Sequence, residues 1–435
     1  MTSTPSPAAA PPERLRALFA RSFGADALDK AGADVLDRAG GGTGPRAVLS
    51  SAPGRVELIG NHTDHQGGCT ISAAIDRRCW GLAAPNGTRR ARLAMEGFGR
   101  ADVDLDDLAP RARERTTSAA LVRGMAALYA REGGRPAGFD MAVCSDVPAG
   151  AGVSSSAAFE MMLGLALREL ANEPGAPALD RVALACQGSQ VEQEYFGKLA
   201  GAQDQLASVC GGTSLLDFAR ARPEASALPF DERAAGWRIV LVDSGSDHAA
   251  HTDDFSQVSS DMAEVARMLG ARRLVDVGER GYLERLSEVR SALGDRRALR
   301  ALHFFEETAR VRRAAEALSA GRHAEFLRLV NASGASSAQF LQNVSPRDAE
   351  GASQPAAAVL ALCAHLLDGE GADESVRGRA AWRIHGGGFG GSVLAFVPEP
   401  AADAFEARIA DLLGRDACLP VRLSPRAACA AALPA

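Results

Sequence analysis

Pro148-Ala149-Gly150-Ala151-Gly152-Val153-Ser154-Ser155-Ser156-Ala157-Ala158 separates an apolar strand from an apolar helix. Ahead of it, Phe139 to Cys144 alternates and carries bulky residues, which predicts a short strand. Behind it, Ala157 to Leu170 runs through Phe159, Met161, Met162, Leu163, Leu165, Ala166 and Leu167 with only Gly164 as a breaker. That pattern predicts a mostly buried helix beginning at the serines. A helix start exposes unpaired N–H groups and the positive end of the helix dipole, so it attracts anions. Glycines let backbone approach a phosphate closely, and three consecutive hydroxyls add donors and one candidate magnesium ligand. An ordinary glycine turn with a serine N-cap would give the same local pattern.

Working outward, 435 residues are enough for two or three domains with a sizeable core. Apolar residues make up 46% and aromatics 5%, an alanine-rich globular composition. A net charge of −6 with no Lys/Arg block leaves no electrostatic footprint for nucleic acid or a membrane surface. Lysine is almost absent and arginine abundant, so most cationic work falls to guanidinium groups, a bias that a high-GC genome explains more readily than function. Eight cysteines are scattered with no C-x-x-C pair, which suits reduced thiols and a cytoplasmic setting. No apolar run reaches a membrane span, and Met1 to Pro12 reads as a disordered tail rather than a signal.

Strands are predicted at Val56–Ile59, Thr70–Ile75, Phe139–Cys144, Trp237–Val242 and Ser392–Val397. Helices are predicted at Ala119–Arg131, Ala157–Leu170, Arg181–Tyr195, Phe255–Leu269, Ala298–Leu318, Gln354–Leu367 and Ala402–Leu413. The mixture implies α+β layers. The polar stretch Ala219–Gly236 holds the domain boundary, giving 1–12, 13–225 and 226–435.

Three other segments carry chemistry. Ala52 to Gly68 places Arg55 on a short strand and then Asn61, His62, Thr63, Asp64 and His65 in a glycine-bounded loop. That density of directional donors and acceptors suits a polyhydroxylated ligand; a surface turn or a metal site on His62, Asp64 and His65 remains open. The His248-Ala-Ala-His251-Thr-Asp253-Asp254 run has the same ambiguity. Val191 to Gln205 delivers Asp204 to the start of an apolar segment, as a general base, a magnesium ligand or an N-cap. Arg383 to Ser392 packs five glycines into six positions before a strand, which points to close backbone approach beside a site. His385 in that run is either buried structure or a polar liner.

In this order the four segments resemble the galactokinase branch of the GHMP small-molecule kinases, over nearly the whole chain after the tail. The resemblance implies an α+β fold of two domains, a sugar- and ATP-binding N-terminal one and a C-terminal kinase one, with the site in the cleft between them. It implies transfer of phosphate from ATP, with Mg²⁺, to the anomeric hydroxyl of galactose. Residue by residue it implies that Gly150, Ala151, Gly152, Val153, Ser154, Ser155 and Ser156 hold the ATP phosphates. Ser156 and Glu192 would reach Mg²⁺, Asp204 would take the sugar proton, and Arg55 would sit beside Asp204. Asn61, His62, Thr63, Asp64 and Phe255 would face the sugar, with the chain a monomer or weak homodimer.

The chain departs from the branch in three places. Asn61 stands where the branch commonly has glutamate, and Phe255 where a tyrosine is expected. Leu199, Ala200 and Gln203 replace proline, cysteine and methionine. Loss of one good hydrogen bond costs about 1–3 kcal/mol, enough to shift preference to N-acetylgalactosamine, galacturonate or arabinose. A non-catalytic ATP- and galactose-binding sensor is the alternative outside enzymes; the complete serine–alanine run with Arg55, Glu192 and Asp204 speaks against it.

Overall fold

The computed structural model describes residues 11–24, 28, 47–171, 179–198, 201–246, 252–346 and 353–433. Its strands are β1 (Val48–Ile59), β2 (Cys69–Pro85), β3 (Arg90–Met95), β4 (Gly99–Asp104), β5 (Phe139–Ser145), β6 (Thr213–Asp217), β7 (Glu224–Leu228), β8 (Trp237–Asp243), β9 (Ala381–Ile384), β10 (Ser392–Pro398), β11 (Cys418–Val421) and β12 (Cys429–Ala432). One sheet runs β12-β1-β2-β5-β3-β4, and β6 with β7 extends it from β2. The long β2 serves two neighbours, pairing Cys69–Ala73 with β6 and Cys79–Pro85 with β5. Only β3 and β5 run parallel in this sheet. The second sheet, β11-β8-β10-β9, is antiparallel throughout. This is the mixed α+β architecture that the patterning predicts.

The Ser155–Ala171 helix packs on β1 and β2 and is apolar on nearly all sides because helices Ser118–Arg131 and Gln203–Cys210 cover its remaining faces. Met161, Met162 and Leu163 are fully buried, each contributing about 1.5–3 kcal/mol of transfer free energy. That anchor holds the helix start, and with it the glycine loop, in one place. In β8 the side chains split by alternation: Ile239 and Leu241 join the core shared with the first sheet, while Val240 and Val242 face helices Pro355–Leu367 and Ala402–Leu413. A strand buried on both faces reads as a continuous apolar run, as this one does.

Several boundaries differ from the sequence reading. Residues 1–10 of the expected tail lie outside the described residues, but Pro11 and Pro12 open a helix, Pro11–Phe23. Proline suits a first helical turn, and Leu15 and Phe19, one turn apart, bury against Leu82 and Ala142. The division at 225/226 falls inside β7, and β12 returns from the C-terminal end to pair with β1. Long-range pairing of this kind leaves no mark in local sequence. The Arg181–Tyr195 helix is α-helical only to Val191; Glu192–Phe196 forms a wider π turn, closed by left-handed Gly197. Such turns re-aim side chains and recur at functional sites.

Candidate active site

Pro53-Gly54 interrupts the β1–β2 register. A Cβ on Gly54 would stand 2.8 Å from the Val153 carbonyl, so glycine permits the phosphate loop to dock there, where the Arg55 N–H donates to that carbonyl at 3.1 Å. Val153 is fully buried and anchors the loop rather than facing the cleft. Ala151 likewise accepts from Ser392 Oγ through its carbonyl. Gly150 and Gly152 take positive φ, 78° and 76°, and the space beside Gly150 is open. Ser154, also left-handed at φ 57°, precedes the helix, and Ser155 is its first residue. The unpaired N–H groups of that helix start border the same space.

Arg55 Nε donates to Asp204 Oδ1 at 2.8 Å, and its Nη2 lies 2.7 Å from the same oxygen. Ser154 Oγ donates to Asp204 Oδ2. Asp204 is the second residue of the Gln203–Cys210 helix, whose N-cap is Ala202; it caps nothing. Burial would raise its carboxyl, but Arg55, Lys198 and Ser154 more than reverse this and hold it below the usual range. Ser156 Oγ donates to Glu192 Oε1 at 2.7 Å, so the π turn and the helix start bring these two side-chain oxygens together.

The sugar loop divides into scaffold and surface. Asn61 donates through Nδ2 to Glu57 Oε1 and the Gly386 carbonyl, and its Oδ1 accepts from Asn343 and Ser337. With both amide hydrogens and both lone pairs used inside the protein, Asn61 ties the loop to the glycine run instead of contacting a ligand. Thr63 is also internal, its hydroxyl closing the loop on the carbonyls of Gly60 and Cys69. Both residues expected at the sugar thus spend their hydrogen bonds inside the loop and its supports. His62 and Asp64 remain at the cleft. His62 Nε2 lies 2.8 Å from the Gly387 carbonyl, which requires the proton on that nitrogen and leaves Nδ1 an acceptor. Burial lowers the His62 pKa to about 3, so the ring is neutral. Phe255 packs beside it, ring centroids 5.0 Å apart.

Burial, with the Glu57 and Asp204 charges behind it, raises the Asp64 carboxyl to about 7. The ionised form accepts from two hydroxyls, whereas protonation converts one acceptor to a donor. If Asp64 holds sugar hydroxyls, the sugar KM rises up to about tenfold between pH 8 and pH 6, as the ionised fraction falls through pH 7. Asp64→Asn removes that dependence in initial-rate measurements across the range. A Cβ on Gly201 would fall 1.9 Å from Asp64 Oδ2. The carboxylate can swing away, so Gly201→Ala costs little stability but raises the sugar KM well above the ATP KM, checked by paired titrations.

The glycine run packs backbone against backbone. A Cβ on Gly388 would lie 2.2 Å from the Asn343 carbonyl. His385 is buried and its Nε2 accepts from the Glu57 N–H at 3.0 Å, which decides its role as structure. Arg383, fully buried, donates to Glu57 Oε1 at 2.8 Å. Sequence reasoning missed Glu57, Gln203 and Asn343, which knit this scaffold together. It also missed Lys198, for which the scarcity of lysine was the available signal. His248 and His251 lie outside the described residues, and among those described no cluster of three His, Cys, Asp or Glu side chains could hold a metal.

A galactokinase galactose-binding signature matches residues 40–85, and the GHMP kinases N terminal domain matches residues 120–212. Galactokinase from Lactobacillus helveticus is 29% identical over 382 residues, covering 84% of this chain and 90% of that protein. The fold is shared with Lactococcus lactis galactokinase complexed with galactose: TM-score 0.74, 22% identity, 95% of this chain and 98% of that one. L. major mevalonate kinase in complex with R-mevalonate shares the fold at TM-score 0.57 and 17% identity, over 87% and 96% of the two chains. The fold, the helix-start phosphate loop and the ordered motifs resemble those of the GHMP kinases. Within that class, the chain is similar to the galactokinase branch.

Proposed function

We propose that this chain transfers the γ-phosphoryl group of ATP to the anomeric hydroxyl of galactose, giving ADP and galactose 1-phosphate. The observation that carries this reading is the Arg55–Asp204–Ser154 cluster standing beside the Ser156–Glu192 pair, with Asp64 and His62 on the sugar side. The sugar oxygen attacks the γ-phosphorus, the bond to the β,γ-bridging oxygen breaks, and the hydroxyl proton passes to Asp204. A carboxylate kept acidic by Arg55 is a weak base, so Asp204 orients the hydroxyl and accepts its proton late. Arg55 places positive charge beside the transferring group, where positioning and electrostatics supply most of the rate.

Ser156 and Glu192 would hold Mg²⁺; two protein oxygens fit an ion that keeps waters and phosphate oxygens for its other positions. When bound, it would neutralise charge on the phosphates. We place the enzyme in the cytoplasm on the strength of its unpaired thiols, and propose a monomer or weak homodimer. No helix among the described residues is long and apolar enough to cross a membrane.

Release of ADP with ATP-Mg²⁺ against galactose, 2-deoxygalactose, N-acetylgalactosamine, galacturonate, arabinose and glucose tests the function. Turnover on galactose with glucose rejected is expected. Turnover on another sugar alone reassigns the substrate, a reading favoured by the inward-turned Asn61 and by Phe255, which lacks a hydroxyl. Silence with ATP and galactose both bound would make the chain a sensor.

A further inference from the structure

Only two of the 48 basic residues are lysine, Lys30 and Lys198. Lys30 lies outside the described residues. Every other ion pair among the described residues draws its cation from arginine, on surfaces and in the core alike. A chain that uses arginine for almost every cationic task keeps lysine where a guanidinium would fail. Lys198 is at such a place. It follows left-handed Gly197 at the end of the π turn, and its Nζ stands 3.5 Å from both Glu192 oxygens. Those contacts are longer than a good charge-assisted hydrogen bond, so the ammonium is held loosely against Glu192 with at least one of its three donors unspent. Its side chain is 42% exposed, while that of Glu192 is 1% exposed. Glu192 in turn accepts from Ser156 at the phosphate-binding helix start.

We propose that Lys198 is a catalytic residue whose ammonium donates to the γ-phosphate of ATP from the side opposite Arg55. Arg55 is committed to Asp204 and to the Gly152 carbonyl, so its fork is fixed in plane. A compact ammonium on a flexible stem can instead follow the phosphoryl oxygens as they leave ADP for the sugar, which a planar guanidinium does less well. Placing a cation on each side of the transferring group spreads its charge in the transition state. No covalent step is added; Lys198 keeps its protons throughout.

This rests on the kinase reading, and the test separates the two because nucleotide binding needs no sugar. Titration calorimetry with Mg²⁺-ADP and with Mg²⁺ and a non-hydrolysable β,γ-imido ATP analogue compares wild type, Lys198→Met and Lys198→Arg. Lys198→Met is expected to bind the diphosphate within about threefold of wild type but to lose about 10–100-fold on the triphosphate analogue, the scale of one charged hydrogen bond. Lys198→Arg is expected to recover most of that triphosphate binding while kcat stays at least about tenfold low, since charge returns but mobility does not. Equal loss on both nucleotides would make Lys198 a screen for Glu192 and overturn the proposal, as would undiminished triphosphate binding in Lys198→Met. Wild-type kcat in Lys198→Arg would overturn the need for lysine.

Discussion

Asp204→Asn is expected to lower turnover by about 10²–10⁴-fold, the range for removing a general base, while ATP affinity stays near wild type. Asparagine keeps the volume, its one amide oxygen can still accept from Arg55, and its NH2 can donate to the Ser154 hydroxyl, which now donates to the carboxylate. It cannot accept the sugar proton, and it leaves Arg55 without its counter-charge, 7% exposed at the cleft wall. Because the carboxyl is held below its usual range, wild-type activity carries no acid limb from Asp204 near neutrality. The acid limb assigned to Asp64 lies near pH 7, and the two groups are thereby distinguishable. Single-turnover rates beside nucleotide titrations provide the check; near-wild-type turnover would remove Asp204 from the mechanism.

Arg383→Met is expected to cost about 3–5 kcal/mol of stability, the penalty for breaking a buried ion pair and leaving one charge behind. Arg383 and Glu57 are essentially without solvent, and Glu57 also takes donors from Asn61 and Gln203. The same carboxylate therefore fastens the sugar loop, the catalytic helix and the glycine run. Adding Glu57→Gln to Arg383→Met removes the stranded charge and should regain part of the loss in denaturant unfolding. A double variant no more stable than the single one would show that the pair is not what holds these segments. Sugar KM should rise in the single variant while the nucleotide site, built on a different helix, is less affected.

The phosphate loop was legible because its signal is local: a strand, glycines, hydroxyls and a buried helix lie within Phe139–Leu170. Asp204 stood out at the start of its segment with three roles open, whereas its pairing with Arg55 and the place of Glu192 came only through resemblance, since nothing in their spacing says that β1 and two helices converge. The internal role of Asn61 was not legible for a related reason. Its partners Glu57, Ser337, Asn343 and Gly386 come from segments up to hundreds of positions away, and only their packing shows that all four of its hydrogen-bonding capacities are spent. The five glycines of 386–391 were read as close approach to a site; the carbonyls of Gly386 and Gly387 accept from the side chains of Asn61, His62 and Asn343.

By itself, then, the sequence determined the element types with strong periodicity, the α+β class and the anion-ready helix start, because each depends on contacts between near neighbours along the chain. Tertiary structure alone decided that β12 closes the first sheet, that the second sheet begins after β7, and which polar residues face the cleft. The reason is physical: a side chain that must satisfy its hydrogen bonds in the interior takes whichever partners the folded chain brings near. A residue is free to meet a ligand only where those partners have run out.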